Sequence, residues 1–204
     1  MLAKRCLLLL VSGFFAFHLG AEEVPTPVGL EYCTVCHGAQ LKGNENIQAP
    51  RLSGLSDWYL ERQLLNFKGR IRGDHPDNIT GGEMMLMARN LSDKEIKDIV
   101  AWVTATDSPK PLATIDADIK AGEVLYQTCS ACHGPKAAGN KLLGAPNLSG
   151  LNDWYIFNQL NQFRLGMRGT HSSDSYGQQM RAVSGVITSE KDAANVAAFI
   201  HQLK

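Results

Sequence analysis

No sign of charge dominates this 204-residue chain: 20 Lys and Arg stand against 20 Asp and Glu. That balance removes the basic surface that nucleic acid or an acidic lipid face requires. Nor does the alternation of a half-buried strand persist over any stretch, so an all-α chain is expected. Long apolar runs are equally scarce. The one that stands out, Cys6 to Phe17, has about a dozen residues where a membrane span takes roughly 20. Cysteine is rarer still, at five residues, and Cys6 lies within that run.

The run has neighbours that explain it. Lys4 and Arg5 precede it, and His18-Leu19-Gly20-Ala21 and the acidic pair Glu22-Glu23 follow, which is the layout of a secretory signal peptide cleaved after Ala21. An uncleaved anchor is the alternative if flanking residues are recruited into the bilayer. Cys6 opens the apolar run instead of following it, so it is badly placed for lipidation. Cleavage leaves 18 basic against 20 acidic residues and four cysteines.

All four belong to one motif that occurs twice. Cys33-x-x-Cys36-His37 and Cys129-x-x-Cys132-His133, offset by 96 residues, are each the attachment signature of a covalent c-type haem. Two thiols three positions apart can add to the two vinyl groups of one porphyrin, and the adjacent imidazole is directed at the iron. A zinc site built from the four cysteines leaves both histidines unexplained, and a redox dithiol needs no second copy with its own histidine. Two covalently bound haem c groups are therefore expected, with no disulfide left to form. Export of such a chain points to the periplasm or to the outer face of the cytoplasmic membrane, with peripheral or anchored attachment left open.

The repeat extends well beyond the motifs. From Cys33 to Met84, 23 of 52 positions are identical to Cys129 to Met180. Between the units, Thr106 to Thr114 carries two prolines among polar residues and reads as a linker. The expected division is a signal peptide over 1–21, a haem domain over 22–106, a linker over 107–117 and a second haem domain over 118–204. Each domain is small for a core made of protein alone, and a haem supplies the missing apolar bulk. Ser92 with Glu95 and Ser189 with Asp192 predict capped N-termini for a last helix in each unit, the second copy displaced by one inserted residue. A middle helix is expected from near Asp57 or Asp153 to the Gly73 or Gly169 turn. Trp58-Tyr59 and Trp154-Tyr155 are expected to pack in the haem pockets or between domains.

The sixth iron ligand decides between electron transfer and chemistry. Met180 is the candidate in the second unit, because Met167 aligns with Ile71 and reads as core. Its repeat partner is Met84, and both are expected in a loop seven residues before Leu91 or Ile187. Met85 and Met87 are the rivals, but they align with Arg181 and Val183. His75 and His171, the other repeated histidines, are the competing ligand pair, read instead as bonded to a propionate or a carbonyl. Pro50 and Pro146 are placed to offer carbonyls to the iron-bound imidazoles. Arg72 and Arg168 are candidates for pairing with propionates. Arg51 corresponds to Asn147, which suggests an extra cation near the first haem and a higher potential there.

The duplicated Cys-x-x-Cys-His, Pro-x-Leu-x-Gly and Met-x6-Leu-Ser elements resemble the dihaem cytochrome c4 family over essentially the whole mature chain. Ile187-Thr188-Ser189 departs from the last element. The resemblance implies two tandem class I cytochrome c domains packed face to face with propionates near the interface. It also implies a carrier, not an enzyme, between a quinol-oxidising complex or dehydrogenase and a terminal oxidase. The alternative is the cytochrome subunit of a periplasmic oxidoreductase such as a sulfur-compound or alcohol dehydrogenase. A dihaem peroxidase needs one open iron, against which the paired methionines argue.

Overall fold

Eight helices, and no strand beyond two isolated bridges, make up the part of the chain that the computed structural model describes, residues 24–203. The expected signal segment lies outside those residues. The first unit comprises α1 (Glu31–His37), α2 (Asp57–Lys68), α3 (Ile79–Ala88) and α4 (Asp93–Ala105); the second comprises α5 (Ile119–His133), α6 (Asp153–Arg164), α7 (Ser175–Val183) and α8 (Glu190–Gln202). Each unit has its own core. Leu60, Leu64 and Phe67 of α2 close on Ile96, Ile99 and Val103 of α4. In the second unit Ile156 and Leu160 of α6 close on Val196, Ala197 and Ile200 of α8, with Tyr126 of α5.

Local chemistry sets the helix ends. Both capping boxes form, Ser92 with Glu95 and Ser189 with Asp192, so α4 and α8 start one residue after a serine. The middle helices start at Asp57 and Asp153, with Ser56 and Asn152 as the residues before them, and they end at Lys68 and Arg164. That is short of Gly73 and Gly169, whose positive φ turns the chain onto the next helix. A further helix then intervenes in each unit, capped by the side chain of Asn78 or Asp174. Met84 and Met180 consequently lie on helices α3 and α7, not in loops. A 3-10 turn, Ser184–Val186, follows α7 and takes up the residue inserted in the second copy.

The units differ at their first helix. α5 has 15 residues against 7 in α1, and its N-terminal half crosses α8 closely. Gly122 permits that crossing: a Cβ there would collide with the Asn195 carbonyl. Glycine in a helix interior ordinarily costs about 1 kcal/mol relative to alanine, which this contact offsets.

Between α4 and α5 the chain runs without regular structure and is anchored to both units. The Arg51 guanidinium, 5% exposed, donates to the carbonyls of Ser108 and Pro109 and to that of Ser53. It thus ties the linker to the residue beside Pro50, and since its acceptors are neutral carbonyls its charge remains there. Asp153 is fully buried and accepts from Thr114 N at 2.7 Å, Thr114 Oγ1 at 2.9 Å and Ile115 N at 2.9 Å. Burial alone would raise its pKa, but these bonds hold the carboxylate below its ordinary value of 3.8.

Asp153→Ala is expected to destabilise the fold by about 3 kcal/mol, because it strands the buried donors of the linker. A depressed folded pKa means that the stabilisation is full above 3.8 and disappears as the pH falls through the lower folded value. Denaturant melts of both proteins between pH 7 and pH 2 check this: the gap should close at the acid end.

Candidate functional site

The end of α1 and the end of α5 deliver the same arrangement twice. Cys33 and Cys36 lie three positions apart on α1, one turn of helix, and Cys129 and Cys132 repeat this on α5. The first cysteine of each pair is turned inward and the second outward. Burial pushes the Cys33 thiol up to about 11 and also raises that of Cys129. Before a haem is attached both are uncharged thiols, the less oxidisable form. His37 and His133 close the two helices and are 5% and 6% exposed.

Each histidine is oriented by one hydrogen bond. Nδ1 of His37 donates to the Pro50 carbonyl at 2.7 Å, and Nδ1 of His133 donates to the Pro146 carbonyl at 2.9 Å. The proline stretch is itself fixed, because a two-residue bridge, Asn44 with Ala49 or Asn140 with Ala145, closes the loop that carries it. This bond assigns the proton to Nδ1 and leaves Nε2 with its lone pair for a metal. Burial lowers the pKa of both imidazoles against the opposing pull of the proline carbonyls. They are therefore neutral at pH 7, as ligation demands.

In the second unit these groups meet at a cavity of about 410 Å³. Cys129, Cys132, His133, Pro146, Met180 and Arg168 all line it, with the aliphatic walls of Leu148, Leu160 and Val196. A c-type haem fits this donor set: paired thiols, a neutral imidazole, a thioether and a buried cation around an apolar space. In the first unit Cys33 and Met84 pack against one core, and Met85 packs there too, whereas Met87 is 48% exposed. His75 and His171 are used locally. Their Nδ1 atoms accept from the backbone N–H of Asp77 and Ser173, neither of which is a carbonyl or a propionate, and His171 is exposed.

The two sites adjoin one another. Tyr59, Arg62 and Gln63 of the first unit line the cavity of the second. Arg72 donates through Nη1 to Gln63 at 2.8 Å, and through Nη2 across the interface to Gln159 at 2.9 Å and Tyr155 at 3.2 Å. Arg168 repeats the pattern in reverse, to Gln159 at 2.6 Å, Gln63 at 2.9 Å and Tyr59 at 3.3 Å. Every pair in this exchange is related by the repeat. Each guanidinium also lies over a phenylalanine, Phe67 or Phe163, at 4.5 and 4.6 Å.

Both arginines are 8% exposed, and their acceptors are neutral. Among the described residues no carboxylate comes within ion-pairing distance of either. Nε of each is buried without a partner. A buried cation without an anion costs several kcal/mol, and two unspent donors, one on each arginine, suit the propionates of two haems. Tyr59 responds to the same charges: burial alone would raise its pKa, but Arg168 and Arg72 hold the phenol below its ordinary range.

Gln63, Gln159 and Asn152 were not singled out as site residues from the sequence. The signal for the glutamines was present, since both recur at the repeat offset on otherwise apolar helix faces. A repeated polar residue in such a position implies a buried partner.

The family model described as Cytochrome c matches residues 29–107 and 119–204. Cytochrome c4 of Azotobacter vinelandii is 31% identical over 183 residues, covering 84% of this chain and 84% of that protein. The thiosulfate dehydrogenase electron acceptor of Stutzerimonas stutzeri is 31% identical over 165 residues, covering 74% of this chain and 72% of its own. The solved structure of reduced recombinant cytochrome c4 from Pseudomonas stutzeri is 29% identical with a TM-score of 0.66, over 86% of this chain and 95% of that one.

Thioether ligation predicts a weak far-red band in the oxidised haem-loaded protein. Met84→Ala and Met180→Ala should each remove about half of it, and Met87→Ala none. Near-infrared absorption of the three variants reads this, and a band that survives Met84→Ala but not Met87→Ala would move the ligand to Met87.

Proposed function

Because the chain belongs to the dihaem cytochrome c4 family, with two cytochrome c domains in tandem, we propose that it passes single electrons in the periplasm. The donor is a quinol-oxidising complex or a dehydrogenase, and the acceptor is a terminal oxidase. Two covalently bound haem c groups would supply the one-electron redox chemistry. The protein's part is to hold them and to close them.

The observation that carries this reading is the meeting of His133 and Met180 at one cavity; their repeat partners are placed separately, His37 buried and bonded to Pro50 and Met84 packed on the first unit's core. His133 with Met180, and His37 with Met84, would hold the iron of each haem and would leave it no place for substrate. Thioether ligation also raises the potential, as suits a carrier near the oxidase end of a chain. The reciprocal Arg72 and Arg168 bonds fix one domain against the other, so that the two sites keep a constant separation. The unspent Nε donors would hold the propionates, and their positive charge favours the reduced state of either site.

The export layout of residues 1–21 and the covalent haem support a periplasmic location. No helix among the described residues is long and apolar enough to cross a membrane. One finding favours the second reading, service to a sulfur-compound dehydrogenase: the similarity to a protein named as the electron acceptor of thiosulfate dehydrogenase. In that role the chain is still a carrier, and only its donor differs.

Two closed irons predict that the reduced protein binds carbon monoxide poorly and has negligible peroxidase turnover, yet exchanges electrons rapidly with a periplasmic oxidase or dehydrogenase. The near-neutral polypeptide predicts only a modest dependence of that exchange on ionic strength. Tight carbon monoxide binding at one haem with fast peroxide reduction would overturn the carrier. Co-purification with a flavin or molybdenum subunit would favour the dehydrogenase partner.

A further inference from the structure

The peptide joining Pro50 to Arg51 is bonded on both sides. Its carbonyl accepts from His37 Nδ1 at 2.7 Å, and its N–H donates at 2.8 Å to Oδ1 of Asn152, 101 residues away in the second domain. Asn152 stands directly before α6, where an asparagine ordinarily turns its side chain onto the free N–H groups of its own helix. Here it makes no such bond. The residue is 8% exposed, and its Oδ1 is given to the other domain. Gly43 leaves room for it, since a Cβ there would lie 2.6 Å from Arg51 N and 2.9 Å from Asn152 Oδ1.

The arrangement is not repeated. Pro146 accepts from His133 in the same way, but the residue that corresponds to Asn152 is Ser56, whose side chain makes no capping bond. Among the described residues nothing accepts from the N–H of Asn147. Ser56 and Asn152 both forgo the capping bond, but of the two only Asn152 gives its side chain to the other domain, beside one of the two histidines. Such departures from local rules concentrate where function needs them.

We propose that Asn152 is a positioning residue by which the second domain sets the reduction potential of the first domain's haem, acting through the Pro50-Arg51 peptide and His37. Chained hydrogen bonds polarise one another, so an amide whose N–H donates offers a stronger acceptor at its carbonyl. The stronger acceptor draws on the Nδ1 proton of His37 and makes Nε2 more basic. A more basic ligand favours the ferric ion, which carries one more positive charge than the ferrous. The bond therefore lowers the potential of the first haem and leaves the second untouched. Its sign is opposite to the one expected from Arg51 as a nearby cation.

This inference rests on His37 as an axial ligand, and the test separates the two. Asn152→Leu removes the acceptor at similar volume, and Asn152→Ser places there the residue of the other domain. In the full haem-loaded chain, a redox titration followed by NMR of the haem methyl resonances resolves the two irons. Both variants should raise the potential of the first haem and leave that of the second in place. A first potential that does not move, or two potentials that move together as from a merely loosened interface, would overturn the role of Asn152. Near-infrared magnetic circular dichroism of the same samples reads the axial ligands. A wild-type spectrum without the histidine signature would fault the ligation; an unmoved potential with that signature intact would fault Asn152 alone.

Discussion

Two like charges buried at one interface govern how this molecule is put together. Arg72 and Arg168 each reach into the opposite domain, and neither finds a carboxylate there. Water is largely excluded, so the cost of burying them is offset by glutamine and tyrosine oxygens, by the faces of Phe67 and Phe163, and by whatever anion the two free Nε atoms meet. An isologous exchange of this kind ordinarily joins two copies of one chain. Here duplication has placed both copies in one polypeptide, and Asp153 and Arg51 clamp the connecting segment to them.

That constraint links architecture to function. A carrier with two one-electron sites gains from fixed separation, and the pseudo-symmetric network contributes to it. Within each domain the logic is different. One helix end presents the thiols and the imidazole, a bridged loop brings a proline carbonyl to Nδ1, and a short third helix brings a methionine. Asymmetry shows at particular places, among them the longer α5 with its Gly122 crossing, the 3-10 turn after α7, the linker bonds of Arg51 and Asp153, and the Asn152 bond to the peptide behind His37.

Much of this was legible in the chain because covalent chemistry and duplication leave strong marks. The Cys-x-x-Cys-His spacing names its own partner, Ser92 and Ser189 cap as their neighbours require, and the offset of 96 residues marks Met84 and Met180 as the repeated methionines. What was not legible depends on tertiary contacts. Nothing local distinguishes a loop methionine from one on a ten-residue helix capped by Asn78. Arg51 reads only as a cation beside a haem until the fold bonds it to the linker as well. Asn152 reads as a helix cap until the other domain takes its side chain. In each case a long-range partner overrides the local preference.

The central claim is that both irons are closed by protein ligands, which makes the chain a carrier. Electron paramagnetic resonance of the fully oxidised, haem-loaded protein tests it most directly, because six-coordinate histidine and methionine ligation gives low-spin ferric iron. Two low-spin signals of equal weight are predicted. A high-spin signal accounting for one of the two haems would contradict the claim, since it would mean an iron with an open or weakly held position.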